Sequence, residues 1–268
     1  MGRRTAQPYR VVLTGAGGGI GSAIARRLAP QADAMLLVGR QPAPLAALRA
    51  ELGAHLADRV QVVCGDLTAP TTLDAIEQAA HAMGGVNLLV NNAGISQFHS
   101  FETQAPEAMR AMLDTNLLAP MLLTRRLLPL LHQAPAAQVV NIGSVFGLLG
   151  YPGFAAYGAS KAGLKGFSQA LRRELSDSAI EVRYFAPRAT RTSINSSAVN
   201  AMNSALGTAE DSPETVAAAF IDFLDGTAWQ ATMGRKESFF VLLNRLLPSL
   251  PDDAIRKQLA VIRQHLPK

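Results

Sequence analysis

A tyrosine and a lysine stand four residues apart in Tyr157-Gly158-Ala159-Ser160-Lys161. On a helix this spacing puts the phenol and the ammonium on one face. A neighbouring cation favours phenolate, which pulls the phenol down from its ordinary pKa of about 10 toward values useful for proton exchange near neutrality. The spacing alone is common on helices. A surface tyrosine lying over a lysine stem satisfies it equally well, so its meaning depends on what the rest of the chain builds around it.

A second chemical signal is Thr14-Gly15-Ala16-Gly17-Gly18-Gly19-Ile20-Gly21, which follows an apolar run at residues 9–14 and opens a helical pattern at residues 21–30. Glycines permit a tight turn and close backbone approach, and a helix N-terminus favours a pyrophosphate, so this context suits a dinucleotide. The second apolar run ends at Gly39-Arg40. An acidic residue there would bond a free ribose 2′-hydroxyl. Arg40 instead suits a 2′-phosphate, favouring NADP(H), with NAD(H) the alternative. Asp66-Leu67 follows the third run, where the carboxylate could meet the adenine or simply cap a turn. Asn91-Asn92-Ala93-Gly94 ends the fourth, where ligands bind in open α/β sheets.

Apolar runs at residues 9–14, 34–38, 59–63, 86–90, 138–142 and 181–185 alternate with helical patterns at 21–30, 44–56, 70–83, 106–132, 156–176 and 213–224. Residues 228–233 add a seventh strand. This rhythm predicts βαβ units and a parallel sheet covered on both faces. The long pattern at 106–132 contains Pro120, where a bend is expected. No composition break marks a second domain, and no fixed repeat appears.

The 268 residues, 49% hydrophobic and 17% charged, suffice for one large domain and argue against disorder. The single Cys64 excludes an intramolecular disulfide, and five scattered histidines show no metal spacing. The net charge of +5 is dispersed, without basic runs or an aromatic ladder, so nucleic-acid binding is unsupported. Residues 1–10 are basic and 11–25 apolar and small, which mimics a secretory signal. The glycine motif inside that stretch argues for a cytoplasmic protein instead. No apolar run of 18 residues predicts a membrane-spanning helix.

Together, residues 14–21, residues 91–94, Ser144 and Tyr157-x-x-x-Lys161 resemble the short-chain dehydrogenase/reductase superfamily in its shorter single-domain branch, over roughly residues 9–234. The resemblance implies a Rossmann-type, doubly wound parallel sheet of about seven strands. It also implies a catalytic tetrad of Asn116, Ser144, Tyr157 and Lys161. In that role Tyr157 exchanges a proton with a carbonyl or alcohol oxygen, while Lys161 lowers its pKa and bonds the nicotinamide ribose. Ser144 orients the substrate oxygen, and Asn116 holds a water leading from Lys161 to solvent. Cofactor contacts would come from Thr14, Gly15, Gly17, Gly19, Ile20, Gly21, Arg40, Asp66, Leu67, Asn92, Ala93, Gly94, Tyr157, Lys161, Pro187, Thr190 and Thr192. Of the two threonines, Thr192 is favoured for the carboxamide.

One departure from the family pattern is Arg188, which stands where a glycine is usual after Pro187. Arg188 and Arg191 could attract an anionic substrate, or point to solvent. Residues 188–212 are polar and read as a lid, and residues 235–268 as an apolar C-terminal extension. The extension's Phe/Leu stripe could pack on the core, cover the site, pair copies or touch a membrane surface peripherally. The expected activity interconverts a ketone and a secondary alcohol of apolar, lipophilic or acyl type, in a homodimer or homotetramer. A catalytically silent NADP(H)-binding sensor is the alternative.

Overall fold

The computed structural model describes residues 7–267; the first six residues, part of the basic stretch 1–10, lie outside them. Seven parallel strands form one sheet: β1 (Tyr9–Thr14), β2 (Ala32–Gly39), β3 (Val60–Cys64), β4 (Leu88–Asn91), β5 (Ala137–Ile142), β6 (Ile180–Ala186) and β7 (Gln230–Thr232). Their order is β3-β2-β1-β4-β5-β6-β7. The chain therefore reverses direction across the sheet between β1 and β4. That switch point opens a crevice at the strands' carboxyl ends, where ligands bind in such sheets.

Alternate residues of each strand serve opposite faces. Val11 and Leu13 of β1 pack with α1 (Gly19–Leu28), α2 (Pro42–Leu56) and α8 (Pro213–Asp225). Val12 and Leu89 pack on the other side with α3 (Pro70–Ala82), α5 (Ala119–Gln133) and α6 (Ala155–Glu174). Burial on both faces is why the strands read as nearly unbroken apolar runs. Within β6 the buried Arg183 is an exception. Its guanidinium donates to the carbonyls of Phe223 and Leu224 at the carboxyl end of α8, a partially negative position that suits a cation, and to that of Ala228 in the link to β7.

Three features differ from the sequence reading. The pattern at 106–132 is two helices, α4 (Pro106–Leu113) and α5, joined through a π-helical turn at Asp114–Leu118. Pro120 follows that turn, and its ring cannot donate to the carbonyl four residues earlier, so the regular ladder fails just ahead of it. The polar segment 188–212 contains a helix, α7 (Ser197–Ala205), whose N-cap Ser196 accepts from Val199 N. Lastly, the C-terminal extension forms not only α9 (Arg235–Leu246), where the Phe/Leu residues stand at helical spacing, but also a second helix, α10 (Ser249–His265).

Candidate active site

The glycine turn is built by close approach. Gly15 has φ +66°, and a Cβ on Gly21 would lie 2.1 Å from the Gly15 carbonyl oxygen, so neither position accepts a side chain. Gly18 caps α1 without a side-chain bond, leaving the first-turn N–H groups of the helix uncapped by the protein. The turn is locked to the loop after β4. Thr14 Oγ1 accepts from the backbone N–H groups of Asn92 and Ala93, both at 3.0 Å. Asn92 Nδ2 donates to the carbonyls of Thr14 (3.0 Å) and Gly15 (3.2 Å). Thr14, Asn92 and Ala93 thus join the two edges of the crevice.

Tyr157 and Lys161 lie in the first two turns of α6, as their spacing implied. The buried Lys161 ammonium donates to the Ile142 carbonyl at the end of β5, 3.0 Å away. Asn116 sits fully buried in the π turn. Its amide brackets the backbone of Ile95, accepting from N–H and donating to C=O at 2.8 Å each. It also donates to Ser160 Oγ at 3.0 Å, and Ser160 donates to the Tyr157 carbonyl at 2.7 Å. One amide therefore fixes the loop after β4 to the helix turn that carries Tyr157. A Cβ on Gly94 would lie 3.2 Å from Asn116 Oδ1 and 3.3 Å from Lys161 Nζ, so these three residues converge.

Ser144 follows β5 and caps a 3-10 turn at Val145–Gly147, accepting from Phe146 N at 3.1 Å. Burial raises the Tyr157 phenol above its ordinary value, opposed by a hydrogen bond with Ser144. The net lowering expected from Lys161 does not occur. Desolvation of a phenolate outweighs the Ser144 hydrogen bond, and Lys161 is itself pushed down by burial to about 8. A phenol held protonated at neutral pH is suited to donating a proton.

Sequence reasoning missed Tyr184, a fully buried residue of β6. Its hydroxyl accepts from Ser144 N at 3.4 Å and donates to the Lys161 carbonyl at 3.3 Å, linking the loop after β5 to α6. Nothing in a strand tyrosine's local sequence marks such a role.

Asn92, Ser144, Tyr157 and Lys161 line a cavity of about 360 Å³. Phe146, Tyr151, Phe154, Val199, Met202 and Ile255 supply apolar wall. The Phe146 and Tyr151 rings stack at 4.8 Å, and the Phe154 ring meets the Tyr157 ring edge-on at 6.2 Å. Much of this lining comes from α7 and α10, elements that sequence periodicity did not resolve.

The remaining expected residues divide. Thr190 Oγ1 donates to the Arg188 carbonyl, whereas Thr192 Oγ1 is buried at the cavity with no partner. A Cβ on Gly19 would lie 3.0 Å from Thr192 Cγ2, so Thr192 overhangs the glycine turn. Pro187 lines the cavity, as does Ile20. Asp66 Oδ1 accepts from the Thr68 backbone and hydroxyl, a turn role that holds its carboxyl below the usual range. The Leu67 side chain enters the core under the sheet. Arg40 is exposed at the end of β2, close enough to Asp66 to help lower its pKa.

Arg188 does neither thing expected of it. Nε and Nη2 form a bidentate pair with Asp211 at 2.8 Å each, and Nη1 reaches Glu237 Oε1 at 3.4 Å. It faces two carboxylates and so has no spare charge for an anionic substrate. Arg191 is exposed and donates to the Glu210 carbonyl.

The uncapped helix start, the glycine cradle and the orphaned Thr192 hydroxyl fit a dinucleotide ending in a carboxamide. The family profile described as short chain dehydrogenase matches residues 9–203. Nodulation protein G of Rhizobium sp. (strain N33) is 39% identical over 66% of this chain and 71% of its own length. The 3-oxoacyl-[acyl-carrier-protein] reductase of Bos taurus is 36% identical over 63% and 70%. Among solved structures, a short-chain dehydrogenase from Sphingobium yanoikuyae in complex with NADPH is 30% identical, with TM-score 0.73, covering 90% of this chain and 95% of that one.

Proposed function

This chain belongs to the short-chain dehydrogenase family, and we propose that it interconverts an apolar ketone and its secondary alcohol, using NADP(H) and Tyr157 as proton donor. The chain is an oxidoreductase of the family with a nicotinamide cofactor. The observation carrying the finer reading is the cluster of Ser144, Tyr157 and Lys161 in the wall of an aromatic-lined cavity, with Asn116 and Ser160 buried behind it.

When bound, the cofactor supplies or accepts the hydride. Tyr157, protonated at neutral pH, gives its proton to the substrate oxygen in reduction. Ser144 holds that oxygen beside the phenol and shares its developing charge. Lys161 is a cation below about pH 8 and would bond the nicotinamide ribose. Asn116 keeps the loop after β4 aligned with α6. Thr192 would receive the carboxamide, and the exposed Arg40 at the end of β2, where an acidic residue would suit NAD(H), supports NADP(H) by its fit to a 2′-phosphate.

The cavity wall favours an apolar substrate, and a 3-oxoacyl chain remains compatible through its hydrocarbon part. Leu113, Leu118, Met121 and Leu122 lie exposed on α4, the π turn and α5, which supports pairing of copies into a homodimer or homotetramer.

The test is NADPH oxidation with a panel of ketones and 3-oxoacyl thioesters, in wild type and Tyr157→Phe. Turnover in the wild type with at least a thousandfold loss in the variant, at unchanged NADPH affinity, is expected. NADPH binding without turnover across the panel would favour the sensor. Residual activity near the wild-type level would reject Tyr157 as the proton donor.

A further inference from the structure

The helix α9 turns a large part of its apolar surface to solvent. None of its residues is buried. It is held to the body by polar contacts, with Glu237 meeting Arg188 and Asn244 Nδ2 donating to the Leu148 carbonyl at 3.2 Å, and by the partly covered Val241 and Leu243. Phe239, Leu242 and Leu246, spaced to share one face, turn outward and are 61%, 54% and 67% exposed. Leu247 and Leu250 extend the exposed apolar surface into the link to α10.

Turning Phe239, Leu242 and Leu246 to water contributes nothing to the stability of the fold. The arrangement fits a helix that has a second, apolar neighbour. The positions around the stripe identify that neighbour. Arg235, Lys236 and Arg245 are exposed on α9 beside it. The acidic residue of α9, Glu237, is turned inward onto Arg188. Asp252 and Asp253 lie beyond Leu250 at the start of α10, and Asp253 pairs with Arg256. An apolar face rimmed by cations matches an anionic lipid surface, into whose headgroup layer such a helix sinks.

The area points the same way. Five partly exposed side chains present on the order of 500 Å², short of the ~800 Å² per partner that a stable dimer buries. No helix among the described residues is long and apolar enough to cross a membrane, so the contact would be peripheral.

The body carries this helix on firm supports. α10 anchors the extension through the fully buried Ile262, packed with Phe98, Phe154, Val199 and Met202, and through Gln258, which accepts from the Tyr151 hydroxyl at 2.8 Å. We propose that α9 and its continuation to Leu250 form a docking face for an anionic lipid surface. Phe240, on the flank of the stripe, and Pro251, just past it, also line the cavity, so hydrocarbon would lie beside the cavity wall. This last point rests on the proposed ketone chemistry; the docking face does not.

The experiment is co-sedimentation of the full chain with phosphatidylcholine vesicles, with and without 30 mol% phosphatidylglycerol (about a third anionic lipid, so that charge is not limiting). Wild type, Leu242→Glu/Leu246→Glu and Arg235→Glu/Arg245→Glu are compared; none of these residues lines the cavity. Binding by wild type to the anionic vesicles is expected, weakened by added salt. The leucine variant should lose about tenfold or more in partitioning. The arginine variant should lose the preference for anionic lipid. In both variants, turnover of a small water-soluble ketone and thermal midpoint should stay unchanged, which separates this reading from the catalytic one. If the leucine variant misfolds, the arginine variant and the salt dependence of wild type decide. Absence of vesicle binding by wild type overturns the proposal. So does self-association in analytical ultracentrifugation that the leucine substitutions abolish, since a second copy would then cover the face.

Discussion

Replacing Arg188 with methionine should loosen both movable walls of the cavity while leaving the sheet intact. The guanidinium joins the end of β6 to Asp211 on the lid and to Glu237 on α9. Two of its contacts are short and parallel, and Asp211 is only 10% exposed. Removing one partner of a buried pair costs 3–5 kcal/mol, but partial exposure of Arg188 lowers that to about 3 kcal/mol. Backbone bonds between Asp211 and both Ala189 and Arg191 remain, so the lid opens more often without detaching. About 3 kcal/mol corresponds to roughly a hundredfold rise in opening. Amide exchange across residues 188–212 and α9 should therefore accelerate about a hundredfold, with β1 to β6 unaffected. KM for the carbonyl substrate should rise more than kcat falls, because the loss is in substrate enclosure. Adding Asp211→Asn removes the stranded carboxylate, and the double-mutant cycle should show about 2 kcal/mol of coupling. Unchanged exchange in the lid, or coupling below about 0.5 kcal/mol, would refute the latch.

Four further expectations follow from the same geometry. The rate of carbonyl reduction should be level below about pH 8 and decline above it as Lys161 loses its proton, with Tyr157 still protonated because burial raises it; a profile unchanged in Lys161→Met rules this out. In the same variant, thermal stability should lose its rise between pH 8 and 10, since a lysine lowered to about 8 in the fold releases its proton before the unfolded one does. Gly21→Ala should abolish cofactor binding, as its Cβ would strike the Gly15 carbonyl oxygen, whereas Gly53→Ala in α2, with open space around it, should stabilise the fold by about 0.5–1 kcal/mol in a melting experiment. Thr192→Val should weaken NADP(H) binding several-fold at unchanged thermal midpoint, since its hydroxyl has no partner to lose; Thr190→Val, which breaks a bond to the Arg188 carbonyl, should instead lower the midpoint and spare affinity.

The strand and helix alternation was legible because burial on both faces imposes apolar runs, and because glycine turns and helix periods leave local traces. All seven strands and most helices stand where periodicity put them, with ends shifted by a few residues. Tyr157 with Lys161 and the glycine turn were legible for the same reason: each is a contiguous motif whose parts lie within two helical turns or one tight loop. Residues that meet only through the fold were not. Arg183 reads as a fault in a buried strand until α8 brings its terminal carbonyls to it. Tyr184 reads as an ordinary core aromatic until its hydroxyl is seen between Ser144 and Lys161. The Tyr157 pKa was misjudged because spacing reports the neighbouring charge, while the desolvation that dominates depends on enclosure by distant segments. Arg188 likewise offered a free cation in the sequence. Only the return of residues 211 and 237 to the same corner turned it into the clasp of the cavity.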